Sequence, residues 1–126
     1  MPDDKDKIPD TSTLLRRVHP NHVVPDKNTG KRRLSSGAFK DPEMSADVET
    51  MLLADGLDWN FSLKDHPEYW LVRLAAGLAR QHGQIIEHRP EADNPYHAEI
   101  LGPKGAKVRD AFRDNCEWVK APPDIA

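Results

Sequence analysis

The sequence predicts an α+β fold, a small, mainly antiparallel sheet packed against two to three helices, and three observations carry that reading. Residues 96–101 (YHAEIL) set Tyr96, Ala98 and Ile100 against His97, Glu99 and Leu101, the period-two alternation of a half-buried strand. A Pro/Asp/Asn loop, PEADNP, separates this run from QIIEHR at 84–89, as in a β-hairpin. Apolar stripes at helical spacing lie on both sides of the hairpin, and strands mixed with helices in this way build a sheet with helices packed on it.

Taken in order, LLRRVH (14–19) reads as a short strand and HVVP (22–25) as another, with Pro20 and Pro25 keeping both away from a fully central position. PDKNTGK is a turn, since Asp26, Asn28 and Gly30 tolerate tight or left-handed backbone. RRLSSGAF then returns as a strand or loop. A helix is expected over 46–54, capped by Ser45, with Val48, Met51 and Leu52 on one face and Gly56 as its stop. A longer one is expected over 66–82. There Asp65 and Glu68 suit a capping box, Pro67 sits in the first turn, and Trp70, Leu71, Leu74, Ala75 and Leu78 form the stripe. Arg80, His82 and Gly83 end it. A third helix starts near Gly105 and buries Val108, Ala111 and Phe112. Residues 1–13 are expected to form a mobile tail, 14–120 a single domain, and 121–126 an extended end.

At 126 residues the chain is the size of one domain, and 37% hydrophobic against 31% charged residues implies a thin core. No apolar run is long enough to span a bilayer and no secretory leader is apparent, which with the lone Cys116 leads to an expected cytoplasmic location. Cys116 stands beside acidic residues that raise a thiol pKa, so it is not expected to be a nucleophile. Trp59, Phe61, Trp70 and Trp118 are read as core or interface aromatics, not as stacking platforms. The net charge of −3 hides a basic block at 14–40, followed by an acidic block at 41–69. Overall acidity argues against a general duplex-DNA binder. No G-x-S-x-G, P-loop or H-E-x-x-H signature is present.

The candidate chemistry lies in the basic block. Arg16, Arg17, Arg32 and Arg33 carry planar guanidinium forks suited to phosphate or carboxylate, and Ser35 and Ser36 add hydroxyls. His19 and His22 stand near them as titratable groups, and Lys104 lies at the start of the third helix, where backbone N–H groups suit an anion. His19 and His22 also form an H-x-x-H pair, but no tight Cys/His set accompanies it, and no metal is expected. The leading expectation is a small binding or accessory protein whose segment 16–40 holds an anionic partner, a nucleotide or a nucleic-acid backbone, with no cofactor and no membrane. A competing expectation is that these arginines pair internally with Glu43, Asp47 and Glu49. A third is a protein–protein adaptor.

Three resemblances add to this. The run RRVHPNHVVPDKNTGKRRLSSGAFKDPEMSADVE resembles a pattern in small bacterial proteins, which implies a bacterial cytoplasmic origin and supplies no activity. Gly102, Pro103, Lys104 and Gly105 resemble the G-x-x-G loop of KH RNA-binding domains, which joins two helices and clamps a nucleic-acid backbone. The order Arg17 or His19, then Ser35 and Ser36, then Glu99 resembles small ADP-ribosyltransferase-type domains. That likeness implies NAD as the bound group, with Arg17, His19, Ser36 and Glu99 as the catalytic set.

Overall fold

The computed structural model describes residues 8–125. Among the described residues, eight strands and three helices follow one another. They are β1 (Thr13–Val18), β2 (Val23–Pro25), β3 (Arg32–Leu34), β4 (Glu43–Val48), α1 (Glu49–Ala54), β5 (Trp70–Ala75), α2 (Ala76–Gln81), β6 (Ile85–His88), β7 (His97–Leu101), α3 (Ala106–Asn115) and β8 (Glu117–Lys120). Three 3₁₀ turns, Pro20–His22, Ser36–Phe39 and Trp59–Leu63, connect them. Six strands make one antiparallel sheet in the order β6-β7-β4-β1-β5-β8, while β2 and β3 pair as a separate ribbon. The α+β class and the antiparallel sheet expected from the sequence are therefore present. No helix among the described residues is long and apolar enough to cross a membrane.

Strand parity divides the sheet into two faces. Leu14, Val18, Met44, Ala46, Val48, Val72, Leu74, Ile86, Ala98 and Ile100 all enter the larger core, with Phe112 of α3 and Phe39 of a 3₁₀ turn packed on them. The Phe39 and Phe112 rings meet edge to face at 5.9 Å. Each fully buried Leu, Ile or Phe contributes about 1.5–3 kcal/mol, so this face anchors the fold. On the opposite face a smaller cluster, Leu15, Leu52, Leu63, Leu71 and Tyr96, is covered by α1 and the Trp59–Leu63 turn. Trp59 and Phe61 are half-buried against this second cluster, and Trp70 and Trp118 against the first.

Two helix expectations are corrected. Residues 70–75 of the expected 66–82 helix are strand β5, paired with β1 over its whole length, and only 76–81 is helical. The cause is burial on both sides of the sheet: Val72 and Leu74 enter one core and Leu71 the other, so the strand reads as an apolar run instead of an alternation. The capping box is accordingly not formed, and Glu68 instead lies 3.8 Å from His66. The expected 46–54 helix begins only at Glu49, because Met44, Ala46 and Val48 alternate on the main face of β4. Ser45, the expected cap, is a strand residue.

At the N-terminal end, Ile8 is 0% exposed and Thr13 already opens β1, so the expected tail is packed from residue 8 onward. Residues 1–7 of that tail lie outside the described residues. Arg80 holds the segment in place with bonds to the Ile8 carbonyl and the Asp10 carboxylate, both at 2.6 Å. At the other end Ile125 bridges to Arg32 and packs on the main core.

Candidate functional site

The alternating parity of β1 sends its two arginines to opposite faces of the sheet. Arg16 points to the main core, where Nη1 donates to the Ser45 carbonyl at 2.9 Å and Nε and Nη2 both reach the Ala38 carbonyl at 3.3 Å. Burial lowers its pKa, with Asp41 acting against that shift and Arg17 adding to it. Arg16 is thus a structural group joining β1, β4 and the Ser36–Phe39 turn.

Arg17 emerges on the second face, opposite Leu71 of β5, on the floor of a cleft of about 310 Å³. Ser45 and Asp47 of β4 and His97 of β7 complete the floor, and residues 61–66 and 91–94 stand as walls. Asp47, only 6% exposed, fastens both walls to the sheet. Its Oδ2 accepts from Ser62 Oγ at 2.6 Å and its Oδ1 from Asn94 Nδ2 at 2.8 Å. Asn94 Oδ1 in turn accepts from the Tyr96 N–H, and two backbone bonds between Glu91 and Asn94 close the turn. At the rim, Lys64 Nζ donates to the Asp93 carbonyl at 3.0 Å while standing 4.1 Å above the Phe61 ring. Two loops distant in sequence are therefore tied to each other and to the floor, and the cleft is preformed.

Its chemistry follows from what remains unused. Arg17 makes one hydrogen bond among the described residues, Nη1 to the Ser62 carbonyl at a long 3.4 Å. No carboxylate among the described residues lies within ion-pair distance, so most of its five donors have no acceptor among those residues. The His97 ring nitrogen Nδ1 lies 3.0 Å from the Arg89 carbonyl, and a carbonyl only accepts. Nδ1 therefore carries a hydrogen, which leaves Nε2 as the acceptor whenever the ring is neutral.

The other expected site residues are dispersed. Arg32 is taken by Asp124 at 2.6 Å, and Arg33 is exposed beside a separate shallow concavity lined by Arg113, Cys116 and Trp118. His19 and His22 are 6.4 Å apart by ring centroid, His19 also contacting Tyr69. Burial first, then Lys40, Arg16 and His19, lower the His22 pKa. Ser35 caps its own 3₁₀ turn by accepting from the Gly37 N–H, and Ser36 lies within that turn. Among the described residues no group of three or more His, Cys, Asp or Glu is placed to hold a metal. The competing expectation of pairing with the acidic block does not hold for these arginines either: Arg16 meets carbonyls, Arg32 meets Asp124, and Glu49 is bound by Arg73. Of the ADP-ribosyltransferase-type set, Arg17 and Glu99 share a sheet face, but Glu99 is bound to Arg89 at 2.8 Å, His19 caps one 3₁₀ turn and Ser36 lies in another.

Lys104 points inward, not toward an anion. Its ammonium donates to the carbonyls of Ile100 at 2.7 Å, Gly102 at 3.2 Å and Pro42 at 3.3 Å. The loop it occupies joins β7 to α3, a strand to a helix, unlike the helix–helix loop of KH domains. Gly102 is required there, since its φ is +143° and an added Cβ would lie 2.9 Å from Gln84 Oε1. Burial pushes the Lys104 pKa down to about 8, Asp41 opposing and Arg16 adding. The unfolded chain holds this proton up to about 10.5, so between pH 8 and 10.5 it binds more protons than the fold. Wild-type stability relative to Lys104→Met should therefore rise with pH across that window, as read by urea unfolding of both proteins. A pH-independent difference would show that Lys104 is not the titrating group. Cys116, pushed up to about 11 by burial first and then by Asp114 and Glu117, remains a thiol.

Sequence reasoning finds Arg17 but misses Ser45, Asp47, Lys64, Asn94 and His97 as its companions. The one available signal is the polar, turn-forming PEADNP loop, which by pattern alone is only a connection. Comparison with family models, with curated proteins and with solved structures returned no significant match, so the cleft's chemistry rests on its own residues.

Proposed function

We propose that this protein is a small binding or accessory protein whose ligand presents an anionic group to Arg17 in the second-face cleft. The observation that carries the reading is a half-buried guanidinium, without a carboxylate partner among the described residues, on the floor of a preformed cavity. Planar guanidinium in such a setting suits bidentate contact with a carboxylate or phosphate. The basic segment as a whole is a weaker candidate, because Arg16 and Arg32 are already engaged.

The lining also limits the ligand. Four carboxylates (Asp47, Asp65, Glu91 and Asp93) face two cations, Arg17 and Lys64. A polyanionic nucleic-acid backbone would meet net repulsion, which favours a small ligand with one anionic group. Calorimetric titration with acetate, inorganic phosphate and adenosine monophosphate at low salt tests this. At least one should bind wild type, and Arg17→Met should weaken it by about tenfold or more, equivalent to about 1.4 kcal/mol or more. The melting temperature should stay close to that of wild type, and Arg33→Ala should have no effect on binding. Equal binding by Arg17→Met and wild type would remove Arg17 from the site.

A further inference from the structure

We propose that the ligand of this cleft is a small zwitterion, its anionic group on Arg17 and its ammonium group at the rim carboxylates Asp65, Glu91 and Asp93; this rests on the Arg17 reading above. The rim carboxylates differ from those that bind arginine elsewhere in the fold. Glu49, Glu87, Glu99, Asp10 and Asp124 each hold an arginine. Asp65, Glu91 and Asp93 are exposed around one opening, and no side-chain hydrogen bond or ion pair joins any of them to another described residue. Lys64 brings one positive charge to this rim against three carboxylates, and its ammonium donates to the Asp93 carbonyl oxygen and lies over the Phe61 ring instead of pairing with any of them.

The cleft thus has Arg17 on its floor, where Asp47 is engaged by Ser62 and Asn94, and net negative charge at its mouth. A simple anion satisfies the floor but must pass and remain beside the carboxylates. A simple cation satisfies the mouth but leaves Arg17 without an acceptor. A molecule carrying both signs answers both ends, and on the floor the neutral His97 ring adds Nε2 as an acceptor for an N–H or O–H. At about 310 Å³ the cleft is at the small end of ligand sites, whose volumes run from about 300 to 1,000 Å³, which sets the scale of that molecule.

Matched probes separate the possibilities in calorimetric titrations at low salt. Phosphoethanolamine and glycerol 3-phosphate share the phosphate and differ in the ammonium; 4-aminobutanoate and butanoate form the carboxylate pair; ethanolamine is the cation alone. The zwitterion of at least one pair should bind about tenfold or more tighter than its anion-only partner, with ethanolamine weaker still. The triple variant Asp65→Asn, Glu91→Gln, Asp93→Asn alters exposed side chains only. It should erase the preference while leaving anion binding intact or improved. If the anion-only probes bind as tightly as the zwitterions, the inference is overturned and the Arg17 reading stands. If no probe binds wild type, both fall.

Discussion

Replacing Glu49 with alanine should lower the unfolding free energy by about 3–5 kcal/mol, the largest effect expected of a single substitution outside the apolar core. Glu49 opens α1 on the second face of the sheet, buried, and its carboxylate receives Arg73 Nε at 2.6 Å, Arg73 Nη2 at 2.7 Å and Thr13 Oγ1 at 2.7 Å. The bidentate geometry joins α1, β1 and β5, and Glu117 of β8 adds a longer contact to the same arginine at 3.8 Å. Removing only the acid leaves a half-buried guanidinium whose desolvation is offset only by the longer Glu117 contact. Removing both partners, as in Glu49→Leu with Arg73→Leu, should therefore restore much of the loss. A double variant no more stable than Glu49→Ala, measured by urea unfolding, would count against the pair as the cause.

The same site sets a pH dependence. The Arg73 hydrogen bonds hold the Glu49 carboxyl below its usual value near 4.5, burial opposing and Thr13 assisting. The stabilisation is complete above the unfolded value and is lost as pH falls through the lower folded one. Wild type should lose stability on acidification below about pH 4.5 more steeply than Glu49→Ala does.

Asp47→Ala should cost about 2–4 kcal/mol and also disable the cleft, because it removes two hydrogen bonds to a buried carboxylate and leaves Ser62 and Asn94 without their partner. The two consequences are separable by hydrogen exchange. Amides in 59–63 and 91–97 should lose protection beyond the global change, while those of β6 and α3 follow global stability alone. Uniform loss of protection would assign Asp47 to general stability instead of to the cleft walls. Arg17 ligand binding should fall in parallel, since a guanidinium contact is productive only when the opposing walls hold the ligand in place.

The contrast between these carboxylates and the opening basic block shows what is legible in the chain. Arg16, Arg17, Arg32 and Arg33 look equivalent in sequence. In the fold one is half-buried among carbonyls, one lies in the cleft, one is paired and one is on the surface. Adjacent residues of a strand face opposite ways, so Arg16 and Arg17 can never share one pocket once β1 is central. In the sequence Asp47 is only one of an acidic run. Its importance arises from Ser62 and Asn94, 15 and 47 residues away, which only strand pairing and loop closure bring to it.

Local pattern determined the elements whose signals are local. The 84–101 hairpin carries its alternation and turn residues within one window, α3 carries its apolar stripe, and β1 its short apolar stretch. From these the α+β class is already readable. Tertiary structure alone decided β4 and β5, whose residues also suit a helix. Each pairs on both sides with strands distant in the chain, and burial on both faces of the sheet erases the alternation that would have marked β5. It also decided the cleft, because a preformed site assembled from three strands and two loops exists only after those long-range contacts are made. Helix propensity amounts to tenths of a kcal/mol per residue, whereas a buried strand gains several kcal/mol from its partners, and burial therefore prevailed over local preference.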